Sequence, residues 1–600
     1  MTKTLIIAEK PSVARDIAKV MMSGRKTSKD GYIDGEQYIV TWAVGHLVAL
    51  SDPEDYDERY KKWNMVHLPI NPDAFQLKPV EKTEKQFRTV ERLMNQSDVG
   101  MIICATDAGR EGELIFRYIY CLSGCRKPFK RLWISSMTEE AIKKGFDSLR
   151  EGSEYDNLYL SAKCRSEADW LIGINGTRAY TVRNNMIYSI GRVQTPTLAM
   201  IVNRHRQILN FRPEDYWEVK SIYDDFQGVW IDRKENQTKI GSKEQADEIA
   251  NFVKGTTGLV TEVKKEKKTQ APPLLYDLTE LQRDSNQYYG YTAKETLDIA
   301  QNLYERHKLI TYPRTDSRYL SKDMEGNVEA TLKKLMVEPY GQWIPAIIGK
   351  LTFTSRIVND KKVTDHHACI PTPTTPKLDK LSEKERNVYD LVAKRLIAVF
   401  YPHHQFHTTS VMIETEGHSF VSKGKAIADW GWKAIYVDQD KGKKDKAEEQ
   451  QLPQLKKGES IFFRDAEVVK KQTQPPKQYN ESTLLSAMEN AGRFVEDEAL
   501  REQLKESGIG TPATRAAIIE RLIQVGYIER DKKSLIPTAK GIAIIDTVPP
   551  ELQSAEMTGK WERALNKIAK GDFPPDRFMD SIRRFSHYIV TEARKSKMIR

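Results

Sequence analysis

Val99-Gly100-Met101-Ile102-Ile103-Cys104-Ala105-Thr106-Asp107-Ala108-Gly109-Arg110-Glu111-Gly112-Glu113 is the stretch on which the fold turns. Its first half is a nearly continuous apolar run, the pattern of a strand buried on both faces. Its second half switches to small and acidic residues and leads into a helix from about Leu114. Upstream, residues 4–8 read as another short buried strand. Residues 11–18 follow with helix-start chemistry and helical spacing of Val13, Ile17 and Val20. Strand, turn and helix in alternation predict an α/β architecture with a mostly parallel sheet, whose chemistry collects at the carboxyl ends of its strands.

Glu9 closes the first strand, and Asp107 and Glu111 follow the later one. In one parallel sheet those ends converge and bring three carboxylates together. Clustered carboxylates repel unless a proton or a divalent cation sits among them, and Mg²⁺ suits oxygen donors and phosphate chemistry. The plainer alternative is that these acids only cap helices.

Outward from this core, residues 154–210 read as helical with a break near 189–192. A strand-rich stretch runs from Trp217 to Val263 and ends in Lys264-Lys265-Glu266-Lys267-Lys268 beside Pro272-Pro273, read as a solvated connector. Residues 277–400 are helical, strand alternation returns over 407–421, and residues 441–449 form a charged loop. From about Glu481 the pattern is helical, with a winged-helix-like segment over 508–537. Strand-rich pieces on both sides of a helical one predict a helical domain inserted into a β-rich arch.

The bulk numbers exclude several classes. Six hundred residues exceed a single core and suggest about four domains. No apolar run approaches the roughly 20 residues of a spanning helix, and residues 1–8 lack a signal peptide's apolar region, so a cytoplasmic protein is expected. Five cysteines argue against a disulfide framework, and buried or half-buried free thiols are expected. A net charge of +10 permits a polyanionic partner without demanding one.

Three further motifs carry chemistry. In Leu309-Ile310-Thr311-Tyr312-Pro313-Arg314, a phenol at a restrained turn is followed by a guanidinium. Tyrosine can act as a covalent nucleophile, and arginine can hold a phosphate bidentately, although a tyrosine beside proline is more commonly a packing residue. Ser189-Ile190-Gly191-Arg192-Val193-Gln194-Thr195-Pro196 can present backbone N–H groups and a guanidinium to a phosphate, or simply cap a helix through Thr195. Thr364-Asp365-His366-His367 offers paired histidines without the further ligands of a zinc centre.

In order along the chain, Ala8-Glu9-Lys10-Pro11-Ser12, the 107–113 acidic loop, Gly191 to Pro196, Tyr312-Pro313-Arg314, His367 and Gly508-Ile509-Gly510-Thr511-Pro512-Ala513-Thr514-Arg515 resemble the type IA DNA topoisomerases. The resemblance spans nearly the whole chain, and residues 168–175, Ala-Asp-Trp-Leu-Ile-Gly-Ile-Asn, resemble the topoisomerase III branch. It implies a four-domain toroid: a Toprim domain (1–150), a helical DNA-binding domain (151–215 and 478–600), a β-rich arch (216–276 and 405–477) and an inserted helical domain (277–404). It implies that Tyr312 attacks a single-strand phosphodiester to give a 5′-phosphotyrosine. Glu9 would be the proton donor to the departing 3′-oxygen and the base for religation. Lys10 and Arg314 would hold the scissile phosphate. Glu9, Asp107 and Glu111 would carry Mg²⁺, and Arg165, Asp169, Arg192, Gln194, His367, Thr511 and Arg515 would contact the strand.

The same resemblance implies a monomer that relaxes negative supercoils and decatenates DNA without ATP, and no Gly-x4-Gly-Lys-Ser/Thr loop occurs. Its partners would be single-stranded, supercoiled or catenated DNA, a helicase and a single-strand-binding protein, at the nucleoid and not at a membrane. Many members also carry a further C-terminal tail. One departure stands out: the family loop usually reads Asp-x-Asp-x-Glu, whereas Gly109 takes the middle position here. Weaker or rearranged metal binding is expected, with Glu113 a poor substitute because its helix position turns it away. Two rivals remain on the sequence, another Toprim nuclease and a catalytically silent single-strand-binding protein. The first leaves Tyr312-Pro313-Arg314 without a task; the second leaves Glu9, Lys10, Tyr312 and Arg314 intact for no purpose.

Overall fold

The computed structural model describes residues 2–134, 137, 139–363, 366–437, 450–494 and 508–598. Strand Lys3–Ala8 lies in the middle of a seven-stranded sheet, parallel to Tyr38–Trp42 on one side and to Val99–Ala105 on the other. Leu5, Ile6 and Ile7 are fully buried, each worth about 1.5–3 kcal/mol relative to exposure. Phe129–Arg131 extends the parallel set, and short antiparallel strands close both edges. Ala8 pairs with Ala105, so the two central strands end level. Glu9 and residues 106–107 therefore leave the sheet at the same edge.

The second sheet is antiparallel throughout, in the order Ser460–Phe462, Thr257–Gln270, His404–Thr415, His418–Asp429, Gln227–Trp230, Asp215–Ile222, Asp465–Gln472. Its core gathers Val219, Val260, Val411, Ile413, Phe420 and Phe463 against helix Lys243–Val253. Strands Thr257–Gln270 and His404–Thr415 are neighbours, and the helical residues between them form a separate core around Leu281, Leu303, Leu332, Tyr389 and Leu396. Helices there begin at side-chain caps: Asp277, Thr292 and Ser382 accept from the N–H groups of Glu280, Glu295 and Glu385.

Helices Asp156–Asn184 and Gln194–Leu209 share their core with residues 479–593, so pieces far apart in the chain fold as one unit. Within it, helix Pro512–Gln524 and hairpin Ile528–Asp531 with Ser534–Pro537 occupy the stretch read as winged-helix-like, and helix Ala539–Thr547 follows it.

Four local expectations need correction. Lys264 to Lys268 is not a connector: it continues strand Thr257–Gln270, paired with residues 406–410. Its side chains are mostly solvated, so no apolar alternation marks it, while backbone pairing still holds it. Helix Arg110–Leu122 starts four residues earlier than Leu114, placing Glu111 and Glu113 in its first turn, where carboxylates suit the helix dipole. Thr195 does not cap helix Gln194–Leu209; it lies inside the first turn, with Val193 as cap residue and its hydroxyl accepting from the Gly191 N–H. Cys121 is exposed, whereas Cys104, Cys125, Cys164 and Cys369 are buried thiols. The charged loop expected at 441–449 lies outside the described residues.

Candidate active site

The acidic loop is braced from beneath. Arg131, with no exposed surface, donates to the carbonyl oxygens of Cys104, Thr106, Asp107 and Leu132 and pairs with Glu113 at 3.2 Å. The Thr106 hydroxyl donates to the Gly112 carbonyl at 2.8 Å. A Cβ at Gly112 would meet the Asp107 carbonyl at 2.1 Å, so only glycine lets the helix close on the loop. Glu113 is consumed in this brace: it faces Arg117 and Arg131 inside the domain, and burial still raises its carboxyl.

At the sheet edge the Asp107 N–H donates to Glu9 at 3.2 Å. Burial pushes Glu9 up to about 7, and the Asp107 charge adds to it. Burial acts the same way on Asp107, but Lys10 and His366 outweigh it and hold that carboxyl below its usual range. One site thus holds a carboxyl that keeps its proton near neutrality beside one that is ionised, a division of acid and base roles.

Tyr312 arrives from the inserted helical segment, 302 residues away. Leu309 and Ile310 are buried anchors, and the strip runs alongside residues 368–372 through the Thr311 N–H to Ile370 and the Thr372 N–H to Leu309. Pro313 then restrains the backbone beyond the phenol. Lys10 donates to the phenol oxygen at 3.2 Å and lies 3.7 Å from Asp107, with its ammonium 4.5 Å from the Tyr312 ring centroid. The phenol is also in hydrogen-bonding reach of Asp107. Burial, then the charges of Asp107 and Glu9, raise the phenol well above its ordinary value, while the Arg314 guanidinium opposes the shift. Arg314 itself is exposed and steadied by Gln301 at 3.1 Å. Lys308 pairs with Asp16 at 3.0 Å, a second tie between insert and N-terminal sheet domain.

Glu111 is drawn away from this cluster. His46 binds it at 2.5 Å and lowers its carboxyl, and in return raises the imidazole against the pull of burial. Among the described residues, no three His, Cys, Asp or Glu side chains stand together at metal-holding distance. Glu9 and Asp107 remain as two hard oxygen donors facing Tyr312. That pair fits a hydrated divalent cation, which commonly uses one or two carboxylates and completes its shell with water and substrate phosphate.

The other sequence-derived residues are spread along the helical unit, apart from His367 in the insert. Arg192 is buried between Asp169 (2.8 Å) and Glu562 (2.9 Å). Arg165 is half-buried and lowers both Glu111 and Glu562. Gln194 bonds the Ser189 backbone and hydroxyl, and Thr511 caps helix Pro512–Gln524 in a reciprocal pair with Thr514. Arg515 is buried and donates to Thr279 of the insert at 2.8 Å. His367 is 2 % exposed, with its ring against the Ala368 carbonyl. Of the paired histidines read from the sequence, it is His366 whose ring lies against Tyr312, with centroids 4.3 Å apart. Sequence reasoning passed over His46 and Glu562, which have no local signature because each reaches the site only through the fold.

Comparison with known proteins identifies the family. A family model described as DNA topoisomerase matches residues 153–580, and a Toprim domain model matches residues 4–137. The chain belongs to the type IA DNA topoisomerase family, with a Toprim domain at its N-terminus. It is 44% identical over 600 residues to DNA topoisomerase 3 of Bacillus licheniformis and over 601 residues to that of Bacillus subtilis, covering 99% of this chain and 82% of each relative. The solved full-length topoisomerase I of Thermotoga maritima shares the fold, with a TM-score of 0.72 at 22% identity over 98% of this chain and 90% of that one. Toprim domains typically bind divalent metals. No helix among the described residues is long and apolar enough to cross a membrane.

Proposed function

We propose that this chain cuts one DNA strand through Tyr312 and reseals it, an ATP-independent DNA topoisomerase of the type III kind. The observation that carries the reading is the meeting of Tyr312, Lys10, Asp107 and Glu9, its carboxyl pushed up to about 7 by burial, at one sheet edge. In the cleavage step the phenol oxygen bonds to phosphorus and its proton leaves toward Asp107. The bond from phosphorus to the 3′-oxygen breaks, and the Glu9 proton goes to that oxygen. Reversal returns the proton to Glu9, releases the phenol and reseals the strand. Lys10 and Arg314 hold the phosphate and balance the charge that develops on it. Energy conserved in the phosphotyrosine removes the need for ATP.

Magnesium would be the divalent ion in this reading, with Asp107, Glu111 and the deprotonated form of Glu9 as the residues that would hold it, and it would neutralise phosphate charge. Arg165, Asp169, Arg192, Gln194, His367, Thr511 and Arg515 are assigned to the strand path. The four-domain division and its boundaries at residues 150, 215, 276, 404 and 477 belong to the same proposal. So do decatenation as the principal task, a monomer in the cytoplasm at the nucleoid, and a helicase and a single-strand-binding protein as partners.

The test uses a 3′-labelled single-stranded oligonucleotide quenched with denaturant. Label moving to protein mass with the native chain and not with Tyr312→Phe is the expected result. Cleavage without a protein-linked band would point instead to a nuclease.

A further inference from the structure

The charged groups that the chemistry at Tyr312 leaves unused gather at Glu562, on helix Ala555–Ala569. One carboxylate oxygen accepts from Arg192 at 2.9 Å and the other from Arg110 at 3.3 Å. Arg165 stands near enough to act on the same carboxyl, and against the effect of burial the three guanidiniums hold it at about 2. They come from three separate elements. Arg110 opens the helix after the acidic loop, Arg165 belongs to helix Asp156–Asn184, and Arg192 lies in the turn before Gln194–Leu209. Arg110 also reaches Asn566 at 3.1 Å, and Arg192 lies over the Trp561 ring.

Carboxylates in the neighbourhood do not explain this convergence. Asp169 holds Arg192 from its exposed side, and Glu111, which also faces Arg165, is bound to His46. Glu562 is therefore a two-oxygen anion where guanidiniums meet from three directions, and only 13% of its side chain is exposed. A phosphodiester carries its charge on two non-bridging oxygens, which guanidinium forks match. Arg110 lies three residues beyond Asp107, so the cluster borders the scissile centre.

We propose that Arg110, Arg165 and Arg192 form a second phosphate site, and that the Glu562 carboxylate fills it until a backbone phosphate of the entering strand displaces it. The inference rests on the reading that this chain binds single strands. In the free protein Glu562 holds Arg110 and Arg192 by direct contact and Arg165 through its charge, so they meet the strand already placed. It also sets a cost on binding that lets the strand leave after resealing.

The experiment measures binding of a fluorescein-labelled single-stranded oligonucleotide by anisotropy at several salt concentrations, in full-length chains carrying Tyr312→Phe. Glu562→Gln removes the competing charge and keeps the shape. It binds about tenfold tighter, the size of effect expected for one charge-assisted hydrogen-bonded contact. Unchanged or weaker binding by a Glu562→Gln protein with a native circular dichroism spectrum and melting curve overturns the proposal. Arg110→Gln alters a partly exposed side chain and serves even if Glu562→Gln fails to fold. Its slope of log affinity against log salt falls by about 0.7, the loss of one single-strand phosphate contact. An unchanged slope counts as refutation. The covalent band at Tyr312 is a separate readout: a band without these binding changes sinks this site and leaves the enzyme standing, whereas binding changes without a band do the reverse.

Discussion

Glu9 and Glu562 are both half-buried glutamates beside arginine- or lysine-bearing elements, yet one is held near 7 and the other near 2. The difference lies in company. Glu9 has one lysine and two neighbouring acids, and Glu562 has three arginines. Glu113 sharpens the contrast: two arginines touch it, but complete burial still raises its carboxyl. Burial favours the neutral form everywhere, and the count and closeness of cations decide whether it prevails. The chain thus uses one residue type as proton donor, as internal brace and as fixed anion.

The largest effect expected from breaking this contrast is at Glu9. Glu9→Gln keeps the shape and removes the transferable proton, so cleavage and religation in single turnover fall by about 10²–10⁴-fold. Oligonucleotide affinity stays within a few-fold, and a rate within a few-fold of native would remove Glu9 from its role. Next in size is Arg131→Met. It strands Glu113 without its fully buried partner and releases the carbonyls of Cys104, Thr106, Asp107 and Leu132. A loss of about 3–5 kcal/mol in urea unfolding is expected; a loss below 1 kcal/mol would mean the brace is dispensable.

The pH dependences are smaller and opposite in sign. Glu9 is raised, so its protonated, proton-donating form exists below about 7 and is lost as pH rises through that value. Cleavage in chelator, followed by the covalent band, falls with that midpoint. Asp107→Asn deletes an acid that raises Glu9 and moves any remaining midpoint to lower pH; a midpoint that stays in place would separate the two groups. Glu562 is depressed, so its contribution to stability is present above its ordinary value of 4.5 and disappears as pH falls toward about 2. Across that window the native chain loses more stability than Glu562→Gln, and parallel melting curves would contradict the assignment.

How much of this the sequence disclosed follows from the range of the forces involved. The strand at 99–105 and the loop after it were readable because burial on both faces writes a continuous apolar run. Glu9, Lys10, Asp107 and Tyr312 were nameable from motifs, although only the fold brings the tyrosine to the other three. Helix Lys243–Val253 was missed despite its Ser242 cap and the spacing of Ala246, Ile249, Ala250 and Val253, because strand-like neighbours dominated the window. The lysine-rich half of strand Thr257–Gln270 was misread because a strand wetted on both faces has no period-two signal. Glu562 and His46 were invisible for another reason: their meaning is the identity of partners hundreds or tens of residues away.

Strand Thr257–Gln270 leaves the sheet where His404–Thr415 enters it, and Gln270 pairs with His404. The helical insert is therefore hung from a single jamb, like a door, although two lengths of chain support it. Both supports share one ladder edge, so the panel joins the sheet along one line. Tyr312 rides on the panel while Glu9, Lys10 and Asp107 stay on the frame. The panel's far side is fastened as well, by the Ala293 N–H to Glu481, by Arg318 to Glu489 at 2.8 Å and by Arg515 to Thr279 at 2.8 Å, so the door stands shut against two posts.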